Sequence, residues 1–521
     1  MHTFDILNIA AAIVPDRIAL VSDTSQLSFS ELSEKVNCFA NALSQRGVRP
    51  GDRICVVDVN TPAHVISFFA ASRLDAIYVP LNFRGQGEEI AFPLRHADPK
   101  VIVAGSRYVP LIDEYKNEFQ AVVRIMGSPE QNHYQGWLDL DSIIESAEVD
   151  ELIFPEGSPE DIAVLLFTAG TTGYPKAVML KHSSFTSFLL TSLEPPNPEI
   201  IEKTLLTLPL YHVAGLQAVL AGIYGGRTII MQRQFEPGEW MRLVEEHEVQ
   251  RALIVPTMLK QMIDHPEFKT RDLSSLQILT YGGSSMPPTL IKRAVPLMPN
   301  VQFINAFGQT ETGSTITMVP PEDHVLYGSE ELVALRIKHL SSIGKPLPDV
   351  EVRVVNDEGE FVGYGVSGEI IAKSPRLMTG YWKQPQETSQ VFHEEWLYTG
   401  DLGYQEEDGY IYLEGRAKDF IKRGGEMVSP EEVEHFLHEI PEIEECAVIG
   451  LPDETWGERV VAVVVVSSEN PNLTEESILE SCQNLARFKR PEQIIFRKEL
   501  PRNSLGKVLK KNLRHELSLD S

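Results

Sequence analysis

The chain has 521 residues, 43% of them hydrophobic, with 74 acidic against 46 basic side chains and a formal charge of −28. That length favours several lobes over one small binding module. The acidity repels the phosphates of nucleic acid and of anionic lipid headgroups, so neither is expected as a general partner, and an anionic ligand needs a local, shaped site.

Residues 6–14 are apolar, but no basic region precedes them and Asp16 and Arg17 interrupt them. They therefore read as an ordinary helix and as neither signal nor span. Apolar, strand-like runs then alternate with amphipathic helical stretches: 53–59 before a helix near 63–74, 101–104, and 162–167 after the turn-rich approach 155–161. The rhythm returns at 204–208, 228–231, 252–255 and 277–281, and this alternation predicts α/β layers. From 343 onward the texture changes to short strands with hairpin signals at 356–360 and 406–410, which reads as a β-rich subdomain. A helix near 430–439 and strands at 447–450 and 460–466 predict a compact α+β unit of about 100 residues. The main boundary falls near Arg416, giving residues 1–416 and 417–521. The run 462–466 is too short to cross a bilayer, so no transmembrane segment is expected. Cys38, Cys55, Cys446 and Cys482 lack metal or disulfide spacing, which fits a reduced, cytoplasmic setting.

The chemistry lies in the loops. In FTAGTTGYPK, residues 167–176, Gly170 and Gly173 let backbone N–H groups turn inward. The hydroxyls of Thr168, Thr171 and Thr172 and the Lys176 ammonium then complete a suitable cradle for polyphosphate. Alone, it also reads as a flexible surface loop, and it lacks the Walker spacing because Pro175 precedes the lysine. His212, in LPLYHVAG, stands in an apolar run where a packed core histidine is the plainer reading. Asp401 closes WLYTGD and on its own reads as a turn cap. In SPEEVE, Ser429 is a helix N-cap with Pro430 at the first position and Glu431 and Glu432 in the first turn. Lys507 lies in a basic tail, PRNSLGKVLK, where solvation is the default.

Taken in order, FTAGTTGYPK, LPLYHVAG, TYGGSSMPP, NAFGQTE, WLYTGD, GRAKDFIKRGGEMVSPEEVE and PRNSLGKVLK resemble the AMP-forming acyl-CoA synthetases, the acyl-adenylate-forming superfamily. The resemblance runs from Phe4 to Lys510. It implies a large N-terminal domain that holds ATP and acid, with a small, mobile C-terminal lid. Thr168, Ala169, Gly170, Thr171, Thr172, Gly173 and Lys176 would form the phosphate loop, with Ala169 where the family usually has serine. His212 would sit beside the carboxylate, and Gly283 and Ser284 would line the adenine and acyl tunnels. Phe307, in place of the usual tyrosine, would stack on adenine next to Gly308. Thr310 would touch the α-phosphate, and Glu311, with Thr171, would hold Mg²⁺, a hard cation that favours oxygen donors. Asp401 and Arg416 would bind ribose and Lys418 would be the pivot. Gly425 would line the thiol tunnel, and Lys507 would stabilise charge during adenylation.

The implied activity is adenylation of a carboxylic acid with MgATP, then acyl transfer to coenzyme A. Apolar and small residues over 208–221 and 281–286 favour a monocarboxylic acid. The resemblance to bacterial fatty acyl-CoA synthetases puts medium- and long-chain fatty acids first and aryl or arylpropenoic acids second. Loading of a carrier protein, or adenylate binding without catalysis, are the other readings. A homodimer is a family expectation.

Overall fold

The computed structural model describes residues 1–119, 121, 123–127, 134–147, 153–168, 175–284, 286–416, 419–423, 426–453, 456–467, 473–502 and 508–519. Two large, mostly parallel sheets carry the N-terminal part. One has nine described strands, in the order Lys345–Pro346, Ser314–Val319, Gln302–Gln309, Ile278–Gly282, Arg251–Ile254, Lys203–Leu206, Thr228–Met231, Ile18–Val21 and Gln26–Ser28. The second has eight and includes Ile77–Pro80, Arg53–Val57, Val101–Ala104 and the antiparallel pair Ile162–Thr168 and Lys176–Lys181. Helices cover these sheets, as parallel strands require, and strands such as Val101–Ala104 and Thr228–Met231 are buried at every position. The expected α/β layering is present.

A β-rich sheet follows, built on Glu351–Val355, Gly368–Lys373, Trp396–Gln405 and Ile411–Arg416. Both expected hairpin turns close with backbone bonds: Asn356 N–H donates to the Glu360 carbonyl at 3.0 Å, and Glu406 N–H to that of Tyr410 at 2.9 Å. A separate C-terminal sheet begins at Ile421–Arg423 and has its own core, including Val433, Val448, Val460 and Val464. The helix Pro430–Leu437 starts as the residue types dictate. Ser429 Oγ accepts from Glu432 N–H at 3.1 Å, and Glu431 and Glu432 occupy the positive first turn.

Boundaries shift where caps decide them. The first helix spans Thr3–Ile13, three residues earlier than its apolar run, because His2 accepts from Phe4 N–H and Asp5 answers the His2 N–H. His2 also faces Asp75 at 3.2 Å and stacks on His182 with ring centroids 3.5 Å apart. Thr3 Oγ1 lies 2.6 Å from His182 Nδ1 and 2.7 Å from Ser72 Oγ, so this buried group staples the first helix to its neighbours. Among the described residues no helix is long and apolar enough to cross a membrane.

Candidate active site

The site is built at the carboxyl ends of neighbouring parallel strands, the usual ligand position in open α/β sheets. Ile278–Gly282 ends at an exposed Gly283 and a half-buried Ser284. Beside it, Gln302–Gln309 is half-buried at every position from Ile304 onward, whereas a strand with one solvated face alternates. Phe307 thus keeps a partly open face. The chain then turns back tightly. A Cβ on Gly308 would meet the Ser314 carbonyl at 2.0 Å, so only glycine permits this approach.

Several contacts over-determine that turn. Thr312, fully buried, accepts from Gln309 N–H at 2.8 Å and donates to the Ser314 carbonyl at 2.7 Å. Ser314 has φ of 130°, a conformation that persists only when its surroundings impose it. Arg376, fully buried, braces the turn from below by donating to the Thr315 carbonyl at 2.7 Å and pairing with Asp349 at 2.6 Å. Thr310 and Glu311 ride on the tip of this frame.

Glu311 is held twice: its carbonyl accepts from Met378 N–H at 2.9 Å, and its Oε1 accepts from the Tyr381 hydroxyl at 3.1 Å. The Lys176 ammonium stands 4.6 Å above the same tyrosine ring. Asp401, almost fully buried, accepts from Gln309 Nε2 at 2.6 Å, and its backbone lies in register opposite that of Arg416 on the neighbouring strand. Gln309 also donates to the Thr399 carbonyl at 3.1 Å. Next to them, burial and the Asp401 charge push the Glu369 carboxyl up, although it accepts from Gly400 N–H. The half-buried Glu311 carboxylate, with one oxygen already held by Tyr381, suits a hard divalent cation such as Mg²⁺. The candidate phosphate-loop lysine therefore lies one aromatic ring away from the candidate metal carboxylate.

His212 forms a second centre. It precedes the helix Val213–Tyr224, packs 4.2 Å from Tyr211, and its Nε2 is buried without a hydrogen-bond partner. Burial, aided by the Arg84 charge, lowers its pKa to about 3, so the ring is neutral at neutral pH. Tyr211 in turn lies edge-on to Phe83 at 5.4 Å. Among the described residues no hydrogen bond, ion pair or ring contact joins His212 to Glu311, Asp401 or Lys176.

Thr168 pairs with Lys176 across the hairpin, its hydroxyl donating to the Lys176 carbonyl at 3.4 Å. Ala169, Gly170, Thr171, Thr172, Gly173, Lys418, Gly425 and Lys507 lie outside the described residues, and Arg416 is placed by its backbone alone. Sequence reasoning missed Tyr381 and Gln309. Gln309 lay inside a quoted motif without a role. Nothing in the local pattern of Gly380–Tyr381 signalled that it would return to the phosphate hairpin.

Residues 7–382 match the family described as AMP-binding enzyme, and residues 432–507 match the AMP-binding enzyme C-terminal domain. The chain is 32% identical to an indoleacetate–CoA ligase of Aromatoleum aromaticum over 97% of this chain and 96% of the relative. It is also 32% identical to a long-chain-fatty-acid–CoA ligase of Mycobacterium tuberculosis, over 95% and 93%. A solved anthranilate CoA ligase in complex with anthranoyl-AMP superposes with a TM-score of 0.88 at 25% identity, covering 100% of this chain and 98% of that one.

Proposed function

The chain belongs to the AMP-binding enzyme family, and on that premise we propose that it is an acid–thiol ligase that adenylates a monocarboxylic acid with MgATP and passes the acyl group to coenzyme A. The observation that carries this reading is the rigid turn that presents Glu311, with Lys176 across the Tyr381 ring and Asp401 bonded to the same strand through Gln309.

In the first half-reaction a carboxylate oxygen attacks the α-phosphorus, the bond from that phosphorus to the bridging oxygen breaks, and pyrophosphate leaves. A carboxyl group with pKa of about 4 is already ionised near neutrality, so no general base is needed. The residues supply charge and position instead. Thr310 and Glu311 sit where the rigid turn fixes them, Lys176 faces the departing pyrophosphate, and Asp401 accepts from the ribose hydroxyls. Mg²⁺ held by Glu311 would neutralise charge on the triphosphate. Lys507 enters from the C-terminal domain to complete this step. Rotation about Lys418 then brings the Gly425 face to the site, where the thiol gives its proton to solvent, its sulfur attacks the acyl carbonyl, the bond from that carbon to the phosphate oxygen breaks, and AMP leaves.

Fatty acids of medium or long chain remain the first substrate reading, supported by the apolar run after His212. Aryl acids are favoured by a separate observation. Tyr108, Phe83, Tyr211 and His212 form a continuous aromatic cluster, Phe83 lying 6.0 Å from Tyr108, and it ends in a buried, unpaired ring nitrogen. Flat rings that carry a polar group suit such a wall. Pyrophosphate release over a panel of both acid classes, with and without CoA, tests these readings. Release with CoA-dependent turnover is expected. Release that stalls as bound acyl-adenylate until a carrier protein is supplied would replace CoA by the carrier, and no release with any acid would sink the ligase reading.

A further inference from the structure

Tyr381 comes from a two-residue strand, Gly380–Tyr381, that pairs antiparallel with the return strand of the phosphate hairpin, Tyr381 opposite Val178. Neighbouring backbone bonds fix it there: Thr379 N–H donates to the Met179 carbonyl at 2.9 Å, and Trp382 N–H to that of Ala177 at 2.8 Å. Tyr381 N–H donates to Thr388 Oγ1 at 2.9 Å, and the side chain is almost fully buried. This seat lets one ring touch two functional groups that are remote in sequence. The Lys176 ammonium lies over its face at 4.6 Å, and its hydroxyl donates to Glu311 Oε1 at 3.1 Å.

The two contacts act on different variables. A phenol bound to one carboxylate oxygen fixes the rotamer of Glu311 and leaves the other oxygen for a cation. The ring face attracts the ammonium electrostatically and holds it to one side of the carboxylate. Without the ring, a flexible four-carbon lysine stem would let the ammonium pair with the carboxylate and neutralise both groups.

We propose that Tyr381 is a positioning residue that keeps the Lys176 ammonium and the Glu311 carboxylate apart and correctly aimed, so that one serves the departing phosphates and the other the divalent cation. This rests on the proposed roles of Glu311 and Lys176. Its hydroxyl tunes cation affinity, and its ring tunes the grip on the phosphates.

The test uses the full chain and three variants, Tyr381→Phe, Tyr381→Leu and Glu311→Gln. It reads Mn²⁺ binding by electron paramagnetic resonance with a non-hydrolysable ATP analogue present, and analogue binding by calorimetry at saturating Mn²⁺. Tyr381→Phe is expected to weaken Mn²⁺ binding about three- to tenfold, the net worth of one hydrogen bond. Its analogue affinity at saturating Mn²⁺ should stay within about twofold of the parent, because the ring remains. Tyr381→Leu should weaken both, the analogue by about threefold. If Tyr381→Phe binds Mn²⁺ like the parent while Glu311→Gln binds it more weakly, the Tyr381 assignment is overturned and the Glu311 role stands. If Tyr381→Phe loses analogue affinity at saturating Mn²⁺ as much as it loses Mn²⁺ affinity, the residue is merely structural and the assignment is overturned. If Glu311→Gln binds Mn²⁺ like the parent, the role proposed for Glu311 fails and takes this inference with it.

Discussion

Two cations with buried nitrogens, one in each part of the chain, do different things with similar chemistry. Arg376 in the N-terminal part is fully buried, pairs with Asp349, and braces the turn that carries Thr310 and Glu311. Lys510 in the C-terminal part opens the helix Lys510–Leu519 and reaches Glu434 at 2.7 Å and Glu431 at 3.7 Å. Burial pushes the Glu434 carboxyl up, and the Lys510 ammonium opposes that push. Glu431 presses against the backbone at Gly415, where an added Cβ would meet its Oε2 at 2.1 Å. The first pair makes a fixed frame. The second ties the start of the last helix to the segment where the two parts join, so the C-terminal part would move as one piece.

That contrast breaks most visibly by removing each cation. Arg376→Met should cost about 3–5 kcal/mol in the N-terminal unfolding transition, because Asp349 keeps a buried, uncompensated charge. It should also weaken ATP-analogue binding. Lys510→Met should lower the C-terminal transition by a comparable amount and leave analogue binding unchanged. Denaturant unfolding followed by calorimetry reads both. A Lys510→Met variant that loses ATP affinity as much as Arg376→Met does would erase the distinction between frame and carried part.

The next largest effect concerns the half-reactions. Lys507→Ala should slow acyl-adenylate formation about 10²–10³-fold, the scale for removing one group aimed at developing charge. Thioester formation from supplied acyl-adenylate should change by no more than a few-fold. Rapid-quench measurement of each half-reaction decides it. Equal loss in both would mean that the C-terminal part does not exchange two faces at the site.

Much of the frame was legible in the sequence because buried parallel strands are unmistakable. Val101–Ala104 and Thr228–Met231 are apolar without alternation, and the Ser429–Pro430 pair announces its helix by cap chemistry alone. The ordered motifs likewise pointed to Glu311 and Asp401. What the sequence withheld were contacts between distant segments. Tyr381 joins Lys176 and Glu311 only because its two-residue strand adds to the edge of the hairpin, and Arg376 is buried only because it donates to the Thr315 carbonyl of a turn 61 residues earlier in the chain. His212 shows the same limit. Its position was plain, but that its Nε2 is buried without a partner depends on tertiary packing.

Acid should sharpen the comparison by striking the N-terminal part. Burial lowers His182 to about 2, His212 to about 3 and His324 to about 4. Each is held neutral when folded and takes up a proton on unfolding near the ordinary pKa of about 6.5. Their stabilising contribution is therefore complete above that value and is lost as pH falls below it, at about 1 kcal/mol per pH unit for each histidine. The C-terminal part holds one comparable group, His438, lowered by burial and by His435. Melting between pH 7 and 5 should thus bring the N-terminal transition down first. A C-terminal transition that falls equally would remove this asymmetry.

The smallest expected effect lies where the two parts touch. Lys260 Nζ reaches Glu444 at 2.9 Å and Asp264 at 3.0 Å, and all three side chains are about one-third exposed. Ion pairs of this kind contribute about 0–1 kcal/mol, and salt screens them. Glu444→Gln should therefore change neither unfolding transition by more than about 1 kcal/mol, since Asp264 still holds the lysine. A joint that opened and reclosed in each cycle would benefit from contacts this weak, because any energy stored there would add to the barrier for rotation. If Glu444→Gln leaves stability alone but changes the rate of the thioester half-reaction, the pair belongs to the motion. If it destabilises both transitions together, the two parts melt as one body and a freely rotating C-terminal lid is untenable.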